Sequence, residues 1–184
     1  MCGICGIAVA RGGPQISEGI LRKMNASISH RGPDEDGFYV NEKVGLASRR
    51  LSIIDLTSGT QPISNEDGSI RIVFNGEIYN YRELRDYLEK HGHLFRTQSD
   101  TEAILHLYEE FGTDCLQHLD GIFAFAIWNE NKQELLLARD RMGIKPMYYT
   151  HLPDWQFIFG SEMKSILTNP AVERKIDLIL RMLV

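Results

Sequence analysis

The sequence predicts an α+β fold in which antiparallel sheets are layered with helices outside, and three features point that way. Like elements are grouped along the chain: a strand, a helix, many strands, two helices, then strands again. Alternating βαβ units, the signature of a parallel sheet, are missing from that order. Residues 122–128 (IFAFAIW) are apolar throughout, which suits a strand covered on both faces rather than one half in water. Two capping-box patterns, Asn80-x-x-Glu83 and Ser99-x-x-Glu102, mark the starts of helices between the strand groups.

Taken in order, residues 2–10 (CGICGIAVA) read as a buried strand at the start of the chain. Ser17 then caps a helix whose Ile20, Leu21, Met24 and Ile28 share one face. Residues 30–37 (HRGPDEDG) form a polar turn region, followed by short strands near 37–40 and 44–50. A strand from Ile70 to Phe74 is expected to stop at the turn dipeptide Asn75-Gly76. The helix after Asn80 carries Leu84, Tyr87, Leu88 and His91 on one side. The helix after Ser99 carries Ile104, Leu105, Tyr108 and Phe111. Strands at 122–128, 134–139 and 156–160 complete the set.

At 184 residues and 21.0 kDa the chain fits one domain. A core of that size buries roughly 70% of the surface of the unfolded chain, enough to fold without disulfides or metals. Net charge is −5, from 20 Lys+Arg against 25 Asp+Glu, which argues against a broad nucleic-acid surface. No run of about 18 apolar residues exists to span a membrane. Arg11 follows the first apolar stretch instead of preceding it, unlike a secretory signal. Three cysteines suit a reducing, cytoplasmic setting better than a disulfide scaffold.

Cys2 is the most informative residue. Removal of Met1 would leave it at the N-terminus, with a thiol and a free α-amine on one residue. The amine titrates at about 7.7–8.0, so it can accept a proton near neutral pH and serve the thiol as a base. The bland alternative is an inert cysteine at the start of a strand. A zinc or redox role for Cys2-x-x-Cys5 lacks a second Cys/His pair, and strand geometry puts Cys5 on the opposite face.

Six segments occur in order: MCGICGI at the start, HRGPDEDG at 30–37, RRLSIIDL at 49–56, NGEIYNY at 75–81, SDTE at 99–102 and RDRMGIKPMYY at 139–149. Together they resemble the glutaminase domain of glutamine-hydrolysing asparagine synthetases, which are class II glutamine amidotransferases. The resemblance spans residues 2 to about 170. It implies a four-layer αββα sandwich of two antiparallel sheets between helices, the N-terminal nucleophile hydrolase fold. It also implies hydrolysis of L-glutamine to glutamate and ammonia through a thioester on Cys2.

The same resemblance assigns the oxyanion hole to Asn75 and Gly76, an amide side chain and a backbone N–H that can be aimed at one point. A plain hairpin turn is the other use of that dipeptide, and both stay open. Arg50 matches the position that grips the substrate carboxylate, with Arg49 turned away by strand alternation. Leu51 and Ile53 match neighbouring substrate-binding positions, Ile53 through backbone carbonyls. Glu77 and Asp100 match positions that hold the α-amino group, although Asp100 in a first helical turn also suits the helix dipole.

His30 and Arg31 fit a loop scaffold. Histidines 91, 93, 106, 118 and 151 lack metal-site spacing and are expected at the surface, and no metal site is expected. The glutaminase half should need no cofactor. ATP and Mg belong to a synthetase domain whose pyrophosphate loop is not in this sequence, so residues 1–170 are read as the glutaminase domain and 171–184 as the start of a connection or a truncated tail. That synthetase domain, in cis or in trans, is the expected partner, docking or continuing at Ile176–Val184. A second copy of the chain is carried as a further candidate. Two other functions stay open: the glutaminase part of another class II amidotransferase, or a silent glutamine-binding module.

Overall fold

A computed structural model describes residues 2–51 and 59–175. Ile53 and the run Ile176–Val184 lie outside the described residues. In chain order the elements are β1 (Gly3–Val9), α1 (Glu18–Ser27), β2 (Glu35–Val40), β3 (Val44–Arg50), β4 (Ile63–Ser64) and β5 (Ile70–Ile78). There follow α2 (Tyr81–Lys90), α3 (Asp100–Phe111), β6 (Gly121–Asn129), β7 (Glu134–Arg139), β8 (Tyr148–His151), β9 (Gln156–Gly160) and the short α4 (Met163–Ile166). Among the described residues one sheet runs β2-β3-β1-β9-β8 and the other β4-β5-β6-β7, with antiparallel pairing throughout.

Strand alternation sorts the apolar side chains into three cores, and these define four layers. In β1, Cys5, Ile7 and Val9 face α1, where Leu21, Met24 and Ile28 meet them. Ile4 faces the other way, joining Leu46, Val73, Ala126, Trp128 and Phe159 between the sheets. In β5 and β6, Ile72, Phe74, Phe125 and Ile127 face Leu88, Ile104 and Leu105 of α2 and α3. The double-sided apolar strand at 122–128 therefore has a helix layer on one face and a sheet on the other. The αββα sandwich is the observed architecture.

Local signals were overridden in three places. β5 does not stop at Asn75-Gly76 but continues to Ile78, paired with β6 throughout. Glycine serves strand contact there, since a Cβ on Gly76 would lie 2.3 Å from the Ile122 carbonyl oxygen. The Asn80 side chain does not cap α2. Its amide instead donates to the His118 carbonyl and its oxygen accepts from the Asp120 N–H, tying α2 to the approach of β6. His106 is not at the surface but is 1% exposed in α3, and His93 is half-buried beside it; His91, His118 and His151 are exposed. The Ser17 cap of α1 forms as expected, and Ser99 caps α3, accepting from the N–H groups of Ile20 and Thr101 respectively. The capping box at Ser99 is not closed: Glu102 accepts from the N–H groups of Arg96 and Thr97, and the Ser99 N–H goes to the Thr97 hydroxyl.

Candidate active site

Where β1 and β3 reach the same end as β5 and the start of α3, the two sheets leave a cavity of about 170 Å³. Cys2, Arg50, Leu51, Asn75, Gly76, Glu77 and Asp100 all border it. These are the site residues expected from the sequence, apart from Ile53.

Cys2 enters by the phase of β1, because even-numbered residues of that strand face the gap between the sheets. The strand's start is pinned by Ser161, whose hydroxyl accepts from the Ile4 N–H at 2.9 Å and whose own N–H donates to the Ile4 carbonyl at 2.8 Å. Arg31 holds residue 2 directly, donating through Nε to its carbonyl at 3.0 Å while its other arm binds Glu162. Gly32 lets this turn lie on β3, since a Cβ there would come 2.3 Å from the backbone of Arg49. His30 is paired with Glu162 at 2.8 Å, half in solvent and outside the cavity wall, consistent with a scaffold. The Cys2 thiol makes a long contact, 3.8 Å, to the Leu51 carbonyl.

Two N–H donors face the thiol's cavity. Asn75 is 1% exposed, and its Nδ2 has no hydrogen-bond partner among the described residues. Gly76 presents its backbone N–H by a register argument. In an antiparallel ladder, pairs alternate between hydrogen-bonded and open. Phe123, opposite Gly76, turns both its N–H and its carbonyl toward Asp140 on the other side, so Gly76–Phe123 is an open pair. The N–H groups two residues to either side also point away from β6: that of Phe74 donates to the Gln61 side chain at 2.7 Å and that of Ile78 to Asp100 at 3.0 Å. Between them the Gly76 N–H faces the cavity. A buried unpaired donor such as Asn75 Nδ2 costs roughly 1–3 kcal/mol, and with the Gly76 N–H turned to the same cavity it marks a place built to receive an acceptor.

The arginine pair divides as alternation requires. Arg49 donates to the Asn25 carbonyl on α1, while Arg50 turns inward and is held by Glu35 at 2.9 Å. Opposite lie two carboxylates. Asp100 is 6% exposed, and burial raises its pKa above the ordinary carboxylate value. The nearby charge of Glu77 adds to the rise, against hydrogen bonds from Ile78, Thr101 and Ser99 that lower it. Cationic Arg50 and anionic Asp100 and Glu77 thus border the same small cavity.

Gln61, Phe74, Ser99, Thr101 and Lys145 also border it and had no assigned role. Lys145 belongs to the RDRMGIKP segment. Asp140 there accepts from the N–H groups of Phe123, Ile144 and Lys145 and so shapes the loop. That segment carried the only signal that could have found Lys145. Gln61 follows residues with no pattern, and only the fold brings it in.

The sequence and the fold have counterparts in known proteins. Residues 1–181 match the glutamine amidotransferase domain. The chain belongs to that family. This amidotransferase domain is 48% identical over 180 residues to asparagine synthetase [glutamine-hydrolyzing] 2 of Bacillus subtilis, a match covering 96% of the chain and 24% of the relative. Against asparagine synthetase [glutamine-hydrolyzing] 3 of Arabidopsis thaliana the identity is 42% over 166 residues, covering 90% of the chain and 28% of the relative. The chain thus spans about a quarter of the length of these curated relatives. Among solved structures, glutamine phosphoribosylpyrophosphate amidotransferase from B. subtilis, complexed with ADP and GMP, shares the fold at TM-score 0.73 and 24% identity, covering 91% of this chain and 43% of that one. An allosteric regulatory enzyme of purine biosynthesis aligns at TM-score 0.75 and 25% identity, with the same coverage. The amidotransferase domain is thus an enzyme domain of class II, on the layered fold the resemblance implied. No helix among the described residues is long and apolar enough to cross a membrane.

Proposed function

We propose that this amidotransferase domain hydrolyses L-glutamine to glutamate and ammonia through an N-terminal Cys2, and that the ammonia feeds ATP-dependent asparagine synthesis from aspartate. The observation that carries the hydrolytic part is the Asn75 Nδ2, without a partner among the described residues, together with the Gly76 N–H that the strand register turns to the same cavity as the thiol.

With Met1 removed, the α-amine of Cys2 takes the thiol proton. The thiolate attacks the side-chain amide carbon of glutamine, and a C–S bond forms as the carbonyl oxygen becomes an oxyanion. Asn75 and Gly76 donate to that oxygen, and their bonds strengthen as charge develops. Collapse breaks the C–N bond; the amine's proton passes to the leaving nitrogen and ammonia departs. Water then attacks the γ-glutamyl thioester, giving a proton to the amine. The C–S bond breaks, glutamate leaves and the thiol is restored. Arg50 binds the substrate α-carboxylate as a planar fork, and Asp100 and Glu77 bind the α-ammonium. Leu51 and Ile53 contribute to the substrate's seat.

The synthetic half rests on the names and lengths of the relatives. Residues 1–170 would form the glutaminase unit and 171–184 a connection to a synthetase domain, acting in cis or in trans and supplying the ATP chemistry. The test is to incubate the chain, with its N-terminal residue checked by intact mass, with glutamine alone. Glutamate and ammonia should form without ATP, aspartate or metal. Adding aspartate and ATP–Mg²⁺ should yield no asparagine until a synthetase domain is supplied. Failure to release ammonia from a chain beginning at Cys2 would overturn the reading.

A further inference from the structure

Away from the glutamine cavity, α3 carries a second polar cluster. His106 is 1% exposed; its Nδ1 lies 2.6 Å from a Glu109 oxygen, while its buried Nε2 has no hydrogen-bond partner among the described residues. The Glu102 carboxylate is 3.7 Å from that Nε2, beyond bonding distance, and is occupied by the N–H groups of Arg96 and Thr97 and the Thr97 hydroxyl. Among the described residues Nε2 thus has no hydrogen bond, only the Glu102 carboxylate at ion-pair separation, and an interior nitrogen so sparsely satisfied is uncommon. Beside it is His93, with ring centres 5.0 Å apart, and Glu66 approaches from the turn after β4 with one oxygen accepting from the Leu94 N–H.

One ligand-capable atom each from Glu66, His93 and His106 lies within 4.8 Å of the others. We propose that Glu66, His93 and His106 hold one divalent transition-metal cation of the zinc type in a site separate from the glutamine cavity. Two imidazoles and a carboxylate suit zinc, cobalt or nickel, whereas magnesium and calcium favour all-oxygen sets. The outer contacts fit as well. Metal-bound histidines usually give their second nitrogen to a carboxylate, and here Glu109 binds Nδ1 of His106 while Glu110 lies 3.3 Å from Nε2 of His93. Glu102, Glu109 and Glu110 add negative charge that favours a cation, and the exposed Glu66 leaves an open side for water.

The ligands come from separate segments: the turn between β4 and β5, the connection between α2 and α3, and α3 itself. Their spacing of 66, 93 and 106 forms no local motif, so only the fold assembles them. A metal there would cross-link these segments and brace α3, whose first residue is the cavity carboxylate Asp100.

The experiment strips the full chain with chelator, titrates Zn²⁺ by calorimetry and reads Co²⁺ by its visible absorption, which reports coordination geometry. One equivalent should bind, and Tm should rise by roughly 5–10 °C when free zinc is a hundredfold above Kd. Glu66→Ala and His93→Ala, at positions that are not fully buried, should each weaken binding at least about tenfold while the fold is retained by circular dichroism. Cys2→Ala should leave binding intact, excluding chelation by the N-terminal amine and thiol. No uptake of either metal, uptake indifferent to both Glu66→Ala and His93→Ala, or uptake lost with Cys2→Ala would overturn the site.

Discussion

Cys2 and Cys5 stand three residues apart in the run Cys-Gly-Ile-Cys-Gly-Ile, each followed by Gly-Ile, yet they occupy opposite chemical worlds. Cys5 is 0% exposed against α1, and burial pushes its pKa up to about 12, with Ser165 and Arg49 offsetting little of the rise. Cys2 is half-buried on the other side of the strand plane, at a polar cavity with two waiting N–H donors. A spacing of three inverts the face of a strand, so one thiol becomes core and the other becomes site. Reactivity here follows address, not residue type.

The largest expected break in that comparison is Cys2→Ala, which should lower glutamine hydrolysis on the order of 10⁶-fold in kcat, as loss of a nucleophile does. Cys5→Ala should keep kcat within a factor of about two. Steady-state ammonia release measures both. Next in size is Asn75→Ala, which should cost about 10²–10³ in kcat, roughly 2.7–4 kcal/mol, with little change in KM because the contact strengthens only in the transition state. Equal losses in kcat and binding would reduce Asn75 to a structural residue.

Asp100 sharpens the polar side. Asp100→Asn should raise KM for glutamine at least about tenfold by removing a charged partner of the ammonium. Since burial raises its pKa, glutamine binding should weaken on acidification at a pH above that of an ordinary carboxylate, as protonation removes the charge. The stability sign is opposite. With the folded value above the unfolded one, the empty protein is relatively more stable while Asp100 is protonated and loses that part as pH rises through the raised value. Asp100→Asn should therefore unfold at no lower temperature than the parent near neutral pH, in a thermal melt without glutamine. The smallest effect belongs to the inert thiol: Cys5→Ala should cost about 1–2 kcal/mol of stability through a small core void, read in a urea titration.

The grouping of like elements and the unbroken apolar run at 122–128 were enough for an α+β layering, while the four-layer arrangement came from the family resemblance. The alternation in β1 and the faces of α1 and α3 follow from apolar spacing alone. The site was legible where one residue carries its own chemistry, as Cys2 does, or where a motif resembles a known one, as at Arg50 and Asn75. What escaped was non-local. The dipeptide Asn75-Gly76 speaks for a turn until β6 is alongside, and nothing near Asn80 announces that its side chain is claimed by residues 118 and 120. Gln61 and Lys145 enter the cavity from opposite parts of the chain, and His106 meets His93 and Glu66 only after the helices pack. Local sequence cannot price contacts made across such separations.

The most direct test of an N-terminal thiol poised beneath two donors is to quench the working enzyme in acid and map its peptides by mass. The account predicts a γ-glutamyl group on the peptide that begins at Cys2, enriched in Asn75→Ala only if deacylation becomes the slower step, and absent from Cys2→Ala. Full turnover by a chain still bearing Met1, or a glutamyl adduct on any other residue, would contradict it.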